Sequence, residues 1–185
     1  MSLEVFRHCP RCGSSLGERQ ITDIDGVTTM RCACDDACGF IHWRNPVPVV
    51  GALVEHEGEI ILARNAGWPA GFFALITGYL EMNEDPRACV VREVKEELGL
   101  QVAETHLIGN YIFERKNEVL MCYHAIATGT VALGKELAEY RRQAPATLRP
   151  WRRATGLAVA DWMRARGLPF EWDDRPPLAV EPGNT

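Results

Sequence analysis

Gly78 to Leu100 reads GYLEMNEDPRACVVREVKEELGL, and the reading of this stretch decides the fold. Its second half predicts a helix over Pro86 to Leu98. Asp85 is a suitable N-cap, proline is tolerated at the first helical position, and Gly99 suits the stop. Val91, Val94 and Leu98 recur at helical spacing and mark the face expected to turn inward. Glu93, Glu96 and Glu97 stand at i, i+3 and i+4, so they share a narrow arc of one face. Three carboxylates there repel one another unless a divalent cation sits among them, and hard oxygen ligands are what Mg2+ and Mn2+ prefer. Arg92 is placed to pair with Glu96 one turn on, or with Glu84 in the preceding loop, and so to steady the carboxylates.

A solvated helix face would by itself account for Glu-Lys-Glu-Glu. The wider spacing goes beyond that: Gly78, five residues, Glu84, seven residues, then Arg92-Glu93-Val94-Lys95-Glu96-Glu97-Leu98-Gly99-Leu100. This resembles the box of the Nudix hydrolase family, Gly-x5-Glu-x7-Arg-Glu-U-x-Glu-Glu-x-Gly-U, with Val94 and Leu100 at the bulky aliphatic U positions. The resemblance implies an α+β fold, a Nudix α/β/α sandwich with a mixed sheet, and a loop–helix–loop metal site. It implies Glu93, Glu96 and Glu97 as ligands of Mg2+ (or Mn2+), the Thr77 carbonyl as a further ligand, and Arg92 among the catalytic residues. Water attacks phosphorus in line in such a site. The general base stays open among Glu96, Glu97, Glu136 and Glu139.

Outward from the box, Val49 to Val54 and Ile60 to Leu62 flank a turn at His56-Glu57-Gly58 and predict two paired strands. Phe72 to Ile76, Val102 to Phe113 and Val119 to Thr128 predict further strands, the last one buried. Lys135 to Arg142 is open between an exposed amphipathic helix and a later loop that brings a glutamate to the site. Ala154 to Arg166 predicts a helix with Leu157 and Trp162 inward. The domain boundaries expected are 1–45 for a zinc ribbon, 46–170 for the Nudix domain and 171–185 for a flexible tail.

Five of seven cysteines, Cys9, Cys12, Cys32, Cys34 and Cys38, fall in the first forty residues, which speaks of metal rather than disulfides. Cys9-Pro10-Arg11-Cys12-Gly13 has the spacing and trailing glycine of a zinc knuckle, and Cys38-Gly39 ends a second. Cys34 is the better third ligand because three residues separate it from Cys38, with Cys32 kept as the alternative and His8 and His42 as rivals. Such a closed Zn2+ site is structural. Arg19–Ile24 and Val27–Arg31 around Asp25-Gly26 predict a small hairpin beside it. Cys89 and Cys122 stand alone in apolar surroundings and read as inert core residues.

A zinc ribbon ahead of a Nudix domain resembles the subgroup that includes NADH pyrophosphatases and FAD or ADP-ribose hydrolases. Leu107 to Phe113 departs from the Ser-Gln-Pro-Trp-Pro-Phe-Pro array of the NADH enzymes. The implied activity is cleavage of the diphosphate bond of a dinucleotide or nucleoside diphosphate derivative to monophosphates. Removal of dinucleotide caps from RNA and a non-catalytic ligand sensor are the alternatives. Trp68, Phe72, Phe73, Tyr79, Tyr111 and Phe113 are the candidate surfaces for a base. A net charge of −5 argues against a general electrostatic grip on nucleic acid. The 46% hydrophobic and 24% charged fractions are ordinary for a soluble protein, with no apolar run fit to span a membrane. A cytoplasmic home follows, and the subgroup resemblance leaves a homodimer open.

Overall fold

In the computed structural model, which describes residues 7–34 and 38–174, the chain divides between Pro46 and Val47 into two units. The first holds a three-stranded antiparallel sheet of β1 (Leu16–Thr22), β2 (Thr28–Cys34) and β3 (Ile41–His42), in that order. Both long strands are shifted outward from their expected bounds. The Asp23 carboxylate accepts from the backbone N–H of Asp25 and Val27 and so draws residues 23–27 into the turn, leaving Ile24 fully exposed.

The second unit is built on β4 (Val47–His56), β5 (Glu59–Asn65), β6 (Ile76–Tyr79), α1 (Pro86–Leu98), β7 (Gln101–Phe113), β8 (Glu118–Thr128), β9 (Leu137–Gln143) and α2 (Thr155–Ala165). Its sheet runs β7-β8-β4-β5-β9. β4 and β8 pair in parallel and the other neighbours are antiparallel, so the sheet is mixed. One edge of β4 is divided: residues 49–52 pair with β6 and residues 54–56 with β5.

Alternate residues of these strands feed two cores. Val50, Ala52 and Val54 pack with Val90, Val94 and Leu98 of α1, whereas Val49 and Leu53 face α2. Helices on both faces make the expected α/β/α sandwich. β8, between β7 and β4, carries the buried run that an inner strand requires. Cys89 and Cys122 are fully buried, and burial pushes each thiol up to about 12, which keeps both unreactive.

Several elements differ from the sequence reading. The inner stripe of α1 is Cys89, Val90, Val94 and Leu98, and Val91 is 41% exposed. In the run Phe72 to Ile76 only Ile76 belongs to a strand, because Ala74 meets Ala63 in an isolated bridge before β6 joins β4. Residues 137–143 are a strand, not a helix: the free edge of β5 offers backbone partners from Ile60 to Asn65, and tertiary pairing overrides local preference. On α2, Trp162 is buried as expected while Leu157 is half-buried.

The tail expected to be flexible from residue 171 is held over its first four residues. The Asp173 N–H donates to the Pro150 carbonyl at 2.8 Å, Glu171 pairs with Arg149, and Asp174 pairs with Arg152 at 2.7 Å. Residues 175–185 lie outside the described residues. No helix among the described residues is long and apolar enough to cross a membrane.

Candidate active site and cysteine cluster

β6 runs into the loop before α1, and the helix starts where the Asp85 carboxylate accepts from the N–H groups of Arg87 (2.8 Å) and Ala88 (3.4 Å). Gly99, with φ of 70°, ends it as the C-cap. Gly78 lies against the helix. A Cβ at this position would sit 2.0 Å from Cδ of Glu93, so glycine lets the strand pass with the carboxylate left where it stands.

Arg92 holds the loop and the helix together. Its guanidinium donates to both oxygens of Glu84, at 2.8 and 2.9 Å, to Oε1 of Glu93 at 2.6 Å and to Oε2 of Glu96 at 3.2 Å. Nη2 also donates to the Tyr79 carbonyl at 3.1 Å. Both partners considered for Arg92 are thus engaged, and the bidentate one is Glu84. Arg92, followed by the Glu81 N–H, holds the Glu84 carboxyl down at about 2.

Glu93, Glu96 and Glu97 open onto one cavity of about 510 Å³, together with Glu136. Burial first, then the charges of Glu93, Glu136 and Glu96, pushes Glu97 up to about 8. Burial also raises Glu93, against the opposing pull of Arg92. Glu136 arrives through contacts that its local sequence does not advertise. Gly134 N–H donates to the Glu97 carbonyl and Ala132 N–H to the Leu98 carbonyl, both at 2.8 Å, satisfying carbonyls that the helix end leaves open. Gly134 is needed there, since a Cβ would lie 2.4 Å from the Glu96 carbonyl oxygen. The Glu136 carbonyl in turn accepts from Ala66 N–H at 2.8 Å. Glu139, by contrast, is paired with Arg64 at 2.5 Å, away from the carboxylate cluster.

Thr77, Trp68 and Tyr79 line the same cavity, as does Lys116 on the 3-10 turn Glu114–Lys116. In the sequence Lys116 is one cation in a charged turn, with no local mark of a site residue. Its signal is topological: the turn joins β7 and β8 at the end of the sheet that holds the box. Three of the other aromatic candidates face elsewhere. Phe73 stacks under Arg141 at 4.5 Å and packs on the α2 side, the Tyr111 hydroxyl donates to Asp161 at 2.8 Å, and Phe113 packs beside Val49 and Leu120.

Five carboxylates, Glu81, Glu93, Glu96, Glu97 and Glu136, share this cavity with Arg92 and Lys116 as its cationic side chains. Hard oxygen donors at that density suit a divalent cation that prefers oxygen, and the raised Glu97 marks the charge a cation would offset.

In the first unit, the thiols of Cys9, Cys12, Cys34 and Cys38 all lie within 4.8 Å of one another. Cys9 and Cys38 are 3.6 Å apart and Cys12 and Cys34 3.4 Å. A tetrahedron with metal–sulfur bonds of ~2.3 Å has edges of about 3.8 Å, so the cluster fits a metal, compatible with a zinc ribbon. Cys32 is buried in β2 and lies outside the cluster. Gly13 and Gly39, with φ of 79° and 69°, supply the left-handed turns of the two knuckles. Hydrogen bonds from Ser14, the backbone one foremost, lower Cys12 to about 6, favouring the thiolate a metal needs.

Residues 45–162 match the NUDIX domain. The chain is similar to the NAD-capped RNA hydrolase NudC of Vibrio atlanticus, at 28% identity over 90% of this chain and 52% of that protein. It is also similar to the protein of the same name from Mycobacterium tuberculosis, at 32% over 64% of this chain and 37% of that protein. The chain therefore spans about half the length of these relatives, or less. Among solved structures, a NUDIX hydrolase from Nitrosomonas europaea superposes with a TM-score of 0.70 at 27% identity, covering 90% of this chain and 96% of that one. An ADP-ribose pyrophosphatase from Streptococcus suis shares the fold, with a TM-score of 0.53 at 20% identity over 70% of this chain and 97% of that one. With more than half of its residues matched to that domain, and the box built into a strand–loop–helix around a carboxylate cavity, the chain belongs to the NUDIX family.

Proposed function

We propose that this protein is a divalent-cation-dependent pyrophosphohydrolase that cleaves the diphosphate bond of a dinucleotide or nucleoside diphosphate derivative to two monophosphates. The observation that carries the reading is the convergence of Glu93, Glu96, Glu97 and Glu136 on one cavity, with Arg92 holding the first two. Glu93, Glu96 and Glu97 would hold Mg2+ or Mn2+, with the Thr77 carbonyl as a further donor. The ion supplies the positive charge that draws the diphosphate in and offsets charge developing on its oxygens. Arg92 keeps the carboxylates in register, and Lys116 offers a second cation to the phosphates.

Water attacks one phosphorus in line, a P–O bond forms, and the bridging P–O bond breaks to release the second phosphate group. The water proton goes to the Glu136 carboxylate. Glu139 is committed to Arg64, while Glu136 carries no such cation among the described residues. Cys9, Cys12, Cys34 and Cys38 would hold Zn2+ in a closed structural site, consistent with a reducing cytoplasm.

A second reading concerns the same bond at the 5′ end of an RNA. The names of the NudC relatives favour it, and an NAD-type cap presents the same diphosphate as a free dinucleotide. The test is a panel of NADH, FAD, ADP-ribose and NAD-capped RNA with Mg2+ or with chelator. Metal-dependent release of monophosphate is expected, abolished by Glu97→Gln and lowered by about 100-fold or more by Glu136→Gln. Hydrolysis that persists in chelator, or full activity in Glu97→Gln, overturns the reading.

A further inference from the structure

Trp68 belongs to neither apolar core of its unit, yet it is held firmly. It follows β5, in the stretch that leads on to β6, and it lines the carboxylate cavity while only half-buried. The Asn65 carboxamide accepts from Gly67 N–H at 2.9 Å, and the Asn65 carbonyl accepts from Trp68 N–H at 2.9 Å. The Trp68 carbonyl accepts from Nη1 of Arg64 at 3.0 Å, and Arg64 is itself held by Glu139. Phe72 braces the indole edge-on, with ring centroids 5.0 Å apart at 74°. Ala66 N–H ties the same turn to the Glu136 carbonyl.

A large aromatic ring kept out of the core costs the protein the burial it would otherwise gain. With two hydrogen bonds on the Trp68 backbone and one edge-on neighbour on its ring, the side chain has less freedom to lose when a flat ligand covers it. Beside it, the carboxylates, Arg92 and Lys116 suit phosphate and metal, and the apolar lining that remains is aliphatic: Ala63, Leu75, Ile76, Leu80 and Leu137. Trp68 and Tyr79 are the aromatic side chains of the cavity. Tyr79 also borders it, but its hydroxyl donates to Glu118 at 2.9 Å and Cys89 and Arg92 contact its carbonyl, so it serves the loop's own structure.

We propose that Trp68 is a specificity-determining residue on which the aromatic base of the nucleoside half of the substrate stacks. This deepens the pyrophosphohydrolase reading and rests on it. It assigns the site to diphosphates that carry a flat aromatic base, over diphosphates joined to sugars or alkyl groups alone.

The test compares ADP-ribose with a diphosphate diester bearing ribose at both ends and no base, on wild type, Trp68→Ala and Trp68→Phe, with thermal melts as the folding control. Trp68→Ala should raise KM for ADP-ribose roughly tenfold or more, Trp68→Phe should recover most of that loss, and neither should change KM for the abasic diester. A second readout needs no sustained turnover: ADP-ribose with Mg2+ should quench tryptophan fluorescence in Glu136→Gln, which keeps the metal-holding glutamates, and fail to do so in Glu136→Gln/Trp68→Phe. Equal losses on both diesters, or no change on either, overturn the proposal. If wild type hydrolyses neither diester, the pyrophosphohydrolase reading fails, and the quenching experiment still decides the stacking: quenching that Trp68→Phe leaves intact, or none at all, refutes it.

Discussion

A methyl group at position 78 has nowhere to go except into the Glu93 side chain, whose Cδ stands 2.0 Å from where it would be. That neighbour is the far end of a flexible side chain, so the carboxylate yields before the backbone does. Gly78→Ala should therefore cost little stability, about 1 kcal/mol and no more than ~3, while Mg2+-dependent hydrolysis falls at least tenfold. Thermal melts set beside turnover separate the two effects, and a large drop in Tm with activity intact would contradict this placement. Glu97 makes a second prediction at the same scale. In the metal-free protein its carboxyl, ordinarily near 4.5, is raised to about 8 by burial and by three neighbouring glutamates. A raised carboxyl favours the folded state below its unfolded value, and that contribution is lost as pH climbs through about 8. The cation must also displace the proton, so its binding weakens as pH falls. The rise in Tm produced by Mg2+ over chelator should grow from about pH 6 to about pH 9; a flat difference over that range would show that Glu97 is not the group the cation meets.

The helix α1 acts as the plate on which the site is mounted, and its two ends are fixed by different parts of the chain. At its start the Asp85 cap and the Arg92–Glu84 pair join it to the loop behind β6. At its finish, Ala132 and Gly134 cover the carbonyls of Leu98 and Glu97 and deliver the strand β9 to the edge of β5. Glu136 lies just ahead of that strand, which is why it reaches the cavity and Glu139, three residues on, instead points to Arg64. Lys116 and Trp68 come from turns after β7 and β5, which run in the same direction because each is antiparallel to one of the parallel pair β8 and β4. Three strand spacings, about 14 Å, separate those strands, and both turns open on one end of the sheet.

At the scale of the whole molecule, the two units rest on different sources of stability. The second has cores on both faces of its sheet. The first buries few apolar side chains among its described residues, chiefly the cysteines and Ala33, and so small a core calls for a staple. A metal ion held by Cys9, Cys12, Cys34 and Cys38 would meet that need, and four thiolates suit Zn2+. Metal analysis of the purified protein should find close to one zinc per chain, lost in Cys34→Ser and kept in Cys32→Ser. Retention in the first with loss in the second would exchange the roles of the two cysteines. Turnover of the second unit should survive loss of this metal better than loss of Mg2+, because a closed four-thiolate site has no position open to substrate.

The sequence by itself determined the helix, its cap and stop, the glutamates on one arc and the thiol spacing, since all of these are settled within about a dozen residues by backbone geometry and ligand chemistry. The two-sided sandwich was legible through the same box, by likeness rather than by periodicity. Spacing already favoured Cys34 over Cys32, and the fold brings its thiol to the other three; tertiary structure alone decided that 137–143 is a strand and that Glu136, Lys116 and Trp68 meet the box glutamates across one cavity. Each of these depends on partners far away in the chain: an open strand edge, two turns brought to one end of a sheet, a glycine pressed to a helix end. Local propensity carries no record of such partners, so only the folded chain reveals them.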